Sequence, residues 1–249
     1  MDTFLEARGL KKRFGAIEAV AGVDLVVARG EVVGFLGPNG AGKTTTMRMV
    51  TGFLEPDAGT VRVHGHDLAA DPLHAKAAIG YLPEGAPVWP DMRVRDFLRF
   101  VAEIRGLCGA ERDERLEEVV HLVHLKPVLG QTLETLSKGF RRRVGLAQAL
   151  VHDPPVLILD EPTDGLDPNQ KFEVRELIRR MGEEKAIVLS THILEEVEAV
   201  CTRAVIVNRG RVVFDGTPAE LEAKAPADVT RNRLDHVFRQ LTTSEVEAA

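Results

Sequence analysis

The chain has 249 residues, 44% of them hydrophobic, enough to bury a full core as one large domain or as a domain with an inserted lobe. A formal charge of −6 and a pI near 5.8 exclude a general nucleic-acid binder, which carries a basic excess, so no nucleic acid is expected as a partner. Two cysteines, Cys108 and Cys201, lack metal-ligand spacing and are too few for a disulfide framework, which fits a reducing cytoplasm.

The N-terminus, Met1-Asp2-Thr3-Phe4-Leu5-Glu6, lacks the basic start and apolar stretch of a secretory signal. Nothing later approaches the ~20 apolar residues that cross a bilayer, so no direct membrane span is expected and any membrane work falls to a partner. From about residue 3 to 36, strand-like runs alternate with turn signals: Phe4–Ala7, Val20–Val27 and Val32–Leu36.

The last of these runs leads into Gly37-Pro38-Asn39-Gly40-Ala41-Gly42-Lys43-Thr44-Thr45, which fits G-x-x-x-x-G-K-[ST] where a strand should turn into a helix. Glycines let successive N–H groups close around phosphate oxygens, and the helix that follows aims its positive end at them. Lys43 adds a cation that reaches the β and γ phosphates, and Thr44 can place its hydroxyl on Mg²⁺.

A hairpin-like piece follows at Gly59–Gly65, with His64 and His66 in a loop where no metal is expected. From about 85 to 150 the pattern becomes helical, with Val94, Phe97, Leu98, Val101 and Ile104, then Leu116, Val119, Val120 and Val123, at helical spacing. His121 and His124 stand one turn apart without accompanying carboxylates or cysteines, so no zinc is expected. Arg141-Arg142-Arg143, the densest positive cluster, reads as a solvated helix face.

After Pro154-Pro155, buried strands return at Val156–Leu159 and Ala186–Ser190, with an amphipathic helix around Phe172–Met181 between them. Strand, helix, strand implies a parallel sheet, so the halves on either side of the helical lobe form one nucleotide-binding core. Asp160 and Glu161 end the first strand: Asp160 is positioned to hold Mg²⁺ through its water shell, and Glu161 to polarise the water that attacks the γ phosphate, a base role worth roughly 10²–10⁴ in rate. His192 ends the next strand on the same edge as Lys43 and Glu161, where it would sense or polarise the γ phosphate.

Further strands run through Ala204–Val207 and Arg211–Phe214, and a polar stretch from Ala225 to Arg233 reads as a linker. Leu234, Val237, Phe238 and Leu241 then share one helical face, which either docks on the chain's own core or contacts a second copy or a partner.

These motifs, with Leu136-Ser137-Lys138-Gly139-Phe140 ahead of the acidic strand, resemble the nucleotide-binding subunit of an ATP-binding cassette (ABC) transporter over about residues 3 to 220. The resemblance implies an α/β fold: a P-loop NTPase core with a parallel sheet, an N-terminal antiparallel β subdomain and an inserted helical subdomain. It implies an ABC ATPase domain over 1–225, followed by a linker and C-terminal amphipathic helix over 226–249. Residues 136–140 resemble the signature motif, Gly165-Leu166-Asp167 the D-loop, His192 the switch histidine, and Phe14 the aromatic that stacks on adenine. ATP and Mg²⁺ are the implied cofactors.

By the same resemblance, two subunits, identical or paralogous, close head to tail over two ATP molecules, with Ser137, Lys138 and Gly139 of one reaching the γ phosphate held by Lys43 of the other. Closure drives a separate integral-membrane permease, which implies a cytoplasmic protein peripheral to the inner membrane. Three positions depart from the common pattern: Lys138 replaces a glycine, Phe140 a glutamine, and Glu84 the glutamine that contacts Mg²⁺ and the attacking water. Glu84 keeps an oxygen ligand but adds charge.

Tyr81-Leu82-Pro83-Glu84, the signature departures and the ending Leu234–Thr242 are similar to bacterial exporters of the gliding-motility, multidrug and lipid-related type, which pair with type-two export permeases. The alternative is a soluble ABC ATPase of translation or DNA repair. Repair members separate the phosphate loop and signature by long coiled coils, and translation members usually carry two cassettes. A non-catalytic switch is disfavoured by the presence of Lys43, Asp160, Glu161 and His192. No residue identifies a cargo.

Overall fold

A computed structural model describes residues 2–85 and 88–243. Met1, residues 86–87 of the expected lobe and residues 244–249 of the expected C-terminal segment therefore lie outside the described residues. In chain order the elements are β1 (Thr3–Phe14), β2 (Ile17–Ala28), β3 (Val32–Leu36), α1 (Lys43–Val50), β4 (Ala58–Val63), β5 (His66–Asp67), α2 (Pro72–Ala77), β6 (Ile79–Leu82), α3 (Val94–Ile104), α4 (Gly109–Leu122) and α5 (Lys138–Leu150). Then follow β7 (Val156–Asp160), α6 (Pro168–Met181), β8 (Ala186–Thr191), α7 (Leu194–Val200), β9 (Arg203–Asn208), β10 (Arg211–Gly216), α8 (Pro218–Ala223) and α9 (Arg233–Thr243).

Two sheets result: an antiparallel one in the order β2-β1-β4-β5, and a six-stranded one in the order β10-β9-β3-β8-β7-β6. In the larger sheet β3 runs parallel to β8 and β9, and β7 parallel to β6 and β8, while β10 is antiparallel to β9. The parallel sheet expected from the strand, helix, strand pattern is therefore present. The strands β3, β7 and β8 all end on one edge, which carries the phosphate loop, Asp160-Glu161 and His192.

Strands buried on both faces send alternate residues into different cores. Leu157, Leu159, Ile187 and Leu189 join the cluster that also contains Phe97, Leu98, Val119 and Leu146 of the helical segment. Val156, Ile158, Ala186 and Val188 face the opposite cluster, shared with β1, β2 and Met47 and Met49 of α1. α3 to α5 lie in sequence between the neighbouring strands β6 and β7, and they share a continuous apolar cluster with the sheet.

The differences from expectation have physical causes. β1 and β2 run well beyond their predicted spans because register shifts between Ala7 and Lys11 break the two-residue alternation. The four-residue β6 and the six- and seven-residue helices α2, α7 and α8 are too short to display a period. His66 begins β5 instead of lying in a loop. On α9, Leu234 and Val237 are buried with Phe238 and Leu241 against Leu36, Ile206, Phe214 and Leu221, so this face docks on the chain's own core.

Candidate active site

The loop between β3 and α1 depends on glycine at two points. At Gly37 a Cβ would lie 2.3 Å from the carbonyl oxygen of Val207. At Gly42, where φ is 102°, it would lie 2.4 Å from the carbonyl of Ala19. The loop is thus pressed against β9 and the start of β2, and only backbone fits there. Gly42 caps α1 without a side-chain hydrogen bond, so the cap itself leaves the helix's first N–H groups uncovered.

The Lys43 ammonium donates to the carbonyls of Gly37 at 2.6 Å and Pro38 at 3.1 Å. Burial holds its pKa below the usual lysine value, against the opposing pull of Glu161, Asp160 and Glu84. That cation and those three carboxylates, drawn from three separate segments, therefore share one electrostatic neighbourhood. Glu84 is exposed in the turn after β6.

Asp160, 2% exposed, ends β7, and its Oδ1 accepts a hydrogen bond from the Ser190 hydroxyl on β8. Its Oδ2 is buried with no partner. Such an orphaned carboxylate oxygen is costly unless it meets a cation or its water shell. Glu161 follows with φ of 53°, a conformation that a non-glycine residue keeps only where its surroundings over-determine it. Its N–H donates to Ser190 at 3.1 Å, and its Oε1 accepts from His192 Nδ1 at 2.9 Å. Burial pushes the Glu161 carboxyl above the usual range, while the His192 hydrogen bond and the Lys43 charge pull it down. The expected meeting of His192 and Glu161 on one edge is a direct contact.

One sequence expectation is corrected here. Of Arg141-Arg142-Arg143, only Arg141 is exposed, whereas Arg142 is 6% exposed and Arg143 is also buried. Arg142 donates to the Pro83 carbonyl at 2.9 Å and to the carbonyls of Asp160 and Glu161. It thereby ties the turn holding Glu84 to the acidic pair, while Arg143 pairs with Glu173 at 2.9 Å. The charge run concealed a signal: Arg142 stands three residues after Gly139 and four before Leu146, on the buried face of α5.

The signature segment lies apart from the loop. Ser137 caps α5, its Oγ accepting from Phe140 N at 3.3 Å, and Lys138 pairs with Asp164 at 2.8 Å. Gly139 lies against Gln170, and Asp167 caps α6 by accepting from Gln170 N at 3.0 Å. Among the described residues no hydrogen bond or ion pair joins 136–139 to 37–45. Phe14 ends β1 with 50% exposure, and Lys12 Nζ lies 6.0 Å from its ring centroid. Elsewhere His66 and His74 both bond to Asp71, at 2.9 Å and 2.7 Å, a cluster that the linear sequence did not bring together.

A strand-borne phosphate loop facing a buried aspartate, a strained glutamate and a histidine is the arrangement of an ATP-hydrolysing cassette. The sequence pattern of the ABC transporter family matches residues 20–164. The chain belongs to this family. This ABC ATPase is 38% identical over 240 residues to the daunorubicin resistance ATP-binding protein DrrA3 of Streptomyces coeruleorubidus, covering 96% of the chain and 75% of DrrA3. It is 42% identical over 224 residues to the lipopolysaccharide export system ATP-binding protein LptB of Escherichia coli K12, covering 87% of the chain and 92% of LptB. A solved structure described as an ATP binding subunit of an ABC transporter matches the fold with a TM-score of 0.86 at 32% identity, covering 96% of this chain and 99% of that one. Among the described residues of the ABC ATPase, no helix is long and apolar enough to cross a membrane.

Proposed function

We propose that this ABC ATPase powers a bacterial export complex from the cytoplasmic side of the inner membrane, closing head to tail with a second copy or a paralogue over two ATP molecules. The observation that carries the reading is the convergence of Lys43, Asp160, Glu161 and His192 on one sheet edge. Among the described residues Ser137 and Gly139 make no hydrogen bond to residues 37–45 of their own chain, which supports a two-subunit site in which their donors complete the phosphate shell of another copy. The relatives named for drug resistance and lipopolysaccharide export support export over translation or repair.

In this reading Lys43 and the α1 N-terminus bind the phosphates, and Phe14 stacks on adenine. Glu161 orients and deprotonates the attacking water, and its raised pKa fits a base. His192 holds the Glu161 carboxylate and reaches the γ phosphate. The unpartnered Asp160 Oδ2, with Thr44 in the first turn of α1 and Glu84 in its turn, suits Mg²⁺. When bound, the ion would neutralise charge shared by the β and γ phosphates.

Exposed apolar side chains after α1 and on or just before α3 support a separate permease. Trp89 packs edge-on to Phe100 at 5.4 Å, Ile104 lies one turn along α3, and exposed Phe53 packs with Tyr81. Large apolar side chains left exposed in this way suit an interaction surface. The test is Glu161→Gln, expected to bind ATP, to lose turnover by roughly 10²–10⁴ and to accumulate as a dimer in size-exclusion chromatography. Unchanged turnover would remove Glu161 as the base. Co-purification of a multi-span protein in equal amount with the tagged chain supports the export reading, and recovery with ribosomes or repair proteins instead would refute it.

A further inference from the structure

Glu196 lies in the core behind the site, 2% exposed on α7 beside the buried Val197 and Val200. Its carboxylate accepts the Thr163 hydroxyl on one oxygen and the Thr191 hydroxyl, at 2.7 Å, on the other. Both threonines are buried as well. Thr163 stands two residues after Glu161, and Thr191 immediately before His192. Thr191 Oγ1 also accepts from Ile193 N at 3.0 Å, so the backbone is held on both sides of His192. Together with the 2.9 Å Glu161–His192 contact, these bonds close a ring through both strand-exit turns.

We propose that Glu196 is a positioning residue for ATP hydrolysis, clamping the two turns so that Glu161 and His192 meet in the reactive arrangement. The inference rests on the roles proposed above for that pair. Burying a carboxylate is expensive, and among the described residues the compensation is two hydroxyls and one cation, Arg175, at 3.7 Å. A leucine would fill an apolar position beside Val197 without that desolvation cost. What a leucine could not supply is a two-oxygen fork joining two loops. Glu161 retains its left-handed backbone because its surroundings fix it, and the Glu196 ring is one of those constraints.

The test measures steady-state ATPase kinetics, nucleotide binding and thermal unfolding of the full chain. Glu196→Ala is expected to lower kcat by about 10- to 100-fold, as misplacement of a reacting group by about 1 Å does, with KM for ATP within about threefold of wild type because the phosphate loop is untouched. Glu196→Gln should recover kcat to within about threefold, since its carboxamide accepts one hydroxyl proton and donates to the other hydroxyl oxygen. Thr191→Val, which keeps the shape and removes one arm, should lower kcat about 3- to 10-fold with KM unmoved, and it serves if the alanine variant does not fold. Unchanged kcat in Thr191→Val and Glu196→Ala, or a kcat loss matched by KM and not restored by glutamine, would overturn the positioning role. Glu161→Gln and His192→Ala run alongside keep the readings apart. Loss in both with full turnover in Glu196→Ala overturns the clamp alone, whereas full turnover in both overturns the pair and the clamp together.

Discussion

The two halves of the site are held by different means. On the phosphate side the chemical groups are consecutive: nine residues, two of them glycines pressed against the carbonyls of Val207 and Ala19 where no side chain fits, leading into α1. On the acidic side it is assembled from far apart, with Arg142 of α5, Ser190 of β8 and Glu196 of α7 each holding residues of the turns after β7 and β8. The residues expected to bind phosphate are neighbours in sequence, whereas those of the acidic side are brought together by β7, β8, α5 and α7. The difference makes separable failures: damage to the loop should remove binding, and damage to the acidic scaffold should remove turnover.

The sharpest way to break that division is Gly42→Ala. The new methyl meets a carbonyl at 2.4 Å at a φ of 102°, so the expected cost is about 4 kcal/mol in stability, with nucleotide affinity lost before any effect on chemistry. Denaturant unfolding and fluorescent-nucleotide binding measure both, and retained affinity would mean that the loop tolerates relocation. Arg142→Met probes the other side. Removing the guanidinium leaves the Pro83, Asp160 and Glu161 carbonyls without that donor, a loss of about 3 kcal/mol together with roughly tenfold in kcat. Nucleotide affinity should stay near wild type, and a fall in affinity equal to that in kcat would merge the two halves.

The same contrast explains what the sequence disclosed. Residues 37–45 are legible because their chemistry is written in consecutive letters, and β3, β7 and β8 because buried parallel strands are short apolar runs. The acidic pair and His192 were legible because each ends such a run. Arg142 was not, because three adjacent arginines look like a solvated face until the helix is phased against Gly139 and Leu146. Thr163, Thr191 and Glu196 were not, because their pairing depends on β8 lying beside β7 and on a seven-residue helix too short to show a period.

A control on the opposite edge of the sheet sharpens the comparison through pH. His152 Nε2 donates to the carbonyl of Ile79, at the start of β6, and its Nδ1 is buried without a partner. Burial, aided by the Arg105 charge, pushes its pKa down to about 4 from an ordinary 6.5. Between those values the unfolded chain takes up a proton that the native state refuses, so the stability present above pH 6.5 falls as pH drops, by up to about 3 kcal/mol near pH 4. His152→Gln should flatten this acid limb in denaturant titrations while leaving turnover at pH 7.5 unchanged. An unaltered limb would assign the acid sensitivity to the carboxylates.

The smallest expected effect tests whether Phe14 belongs to either half. It ends β1 half exposed, and the β1–β2 hairpin that presents it also supplies the Ala19 carbonyl against Gly42, so the ring and the loop share a support. If Phe14 is the adenine platform, Phe14→Ala removes only stacking, about 1 kcal/mol or roughly fivefold in ATP affinity. Inorganic triphosphate, which lacks a base, should bind as before, and the unfolding midpoint should hold because the ring buries little. Equal weakening of both ligands would mean that the substitution had disturbed the hairpin's packing on the loop. Nucleotide affinity would then depend on the hairpin that supports the loop, as turnover depends on the scaffold of the acidic side.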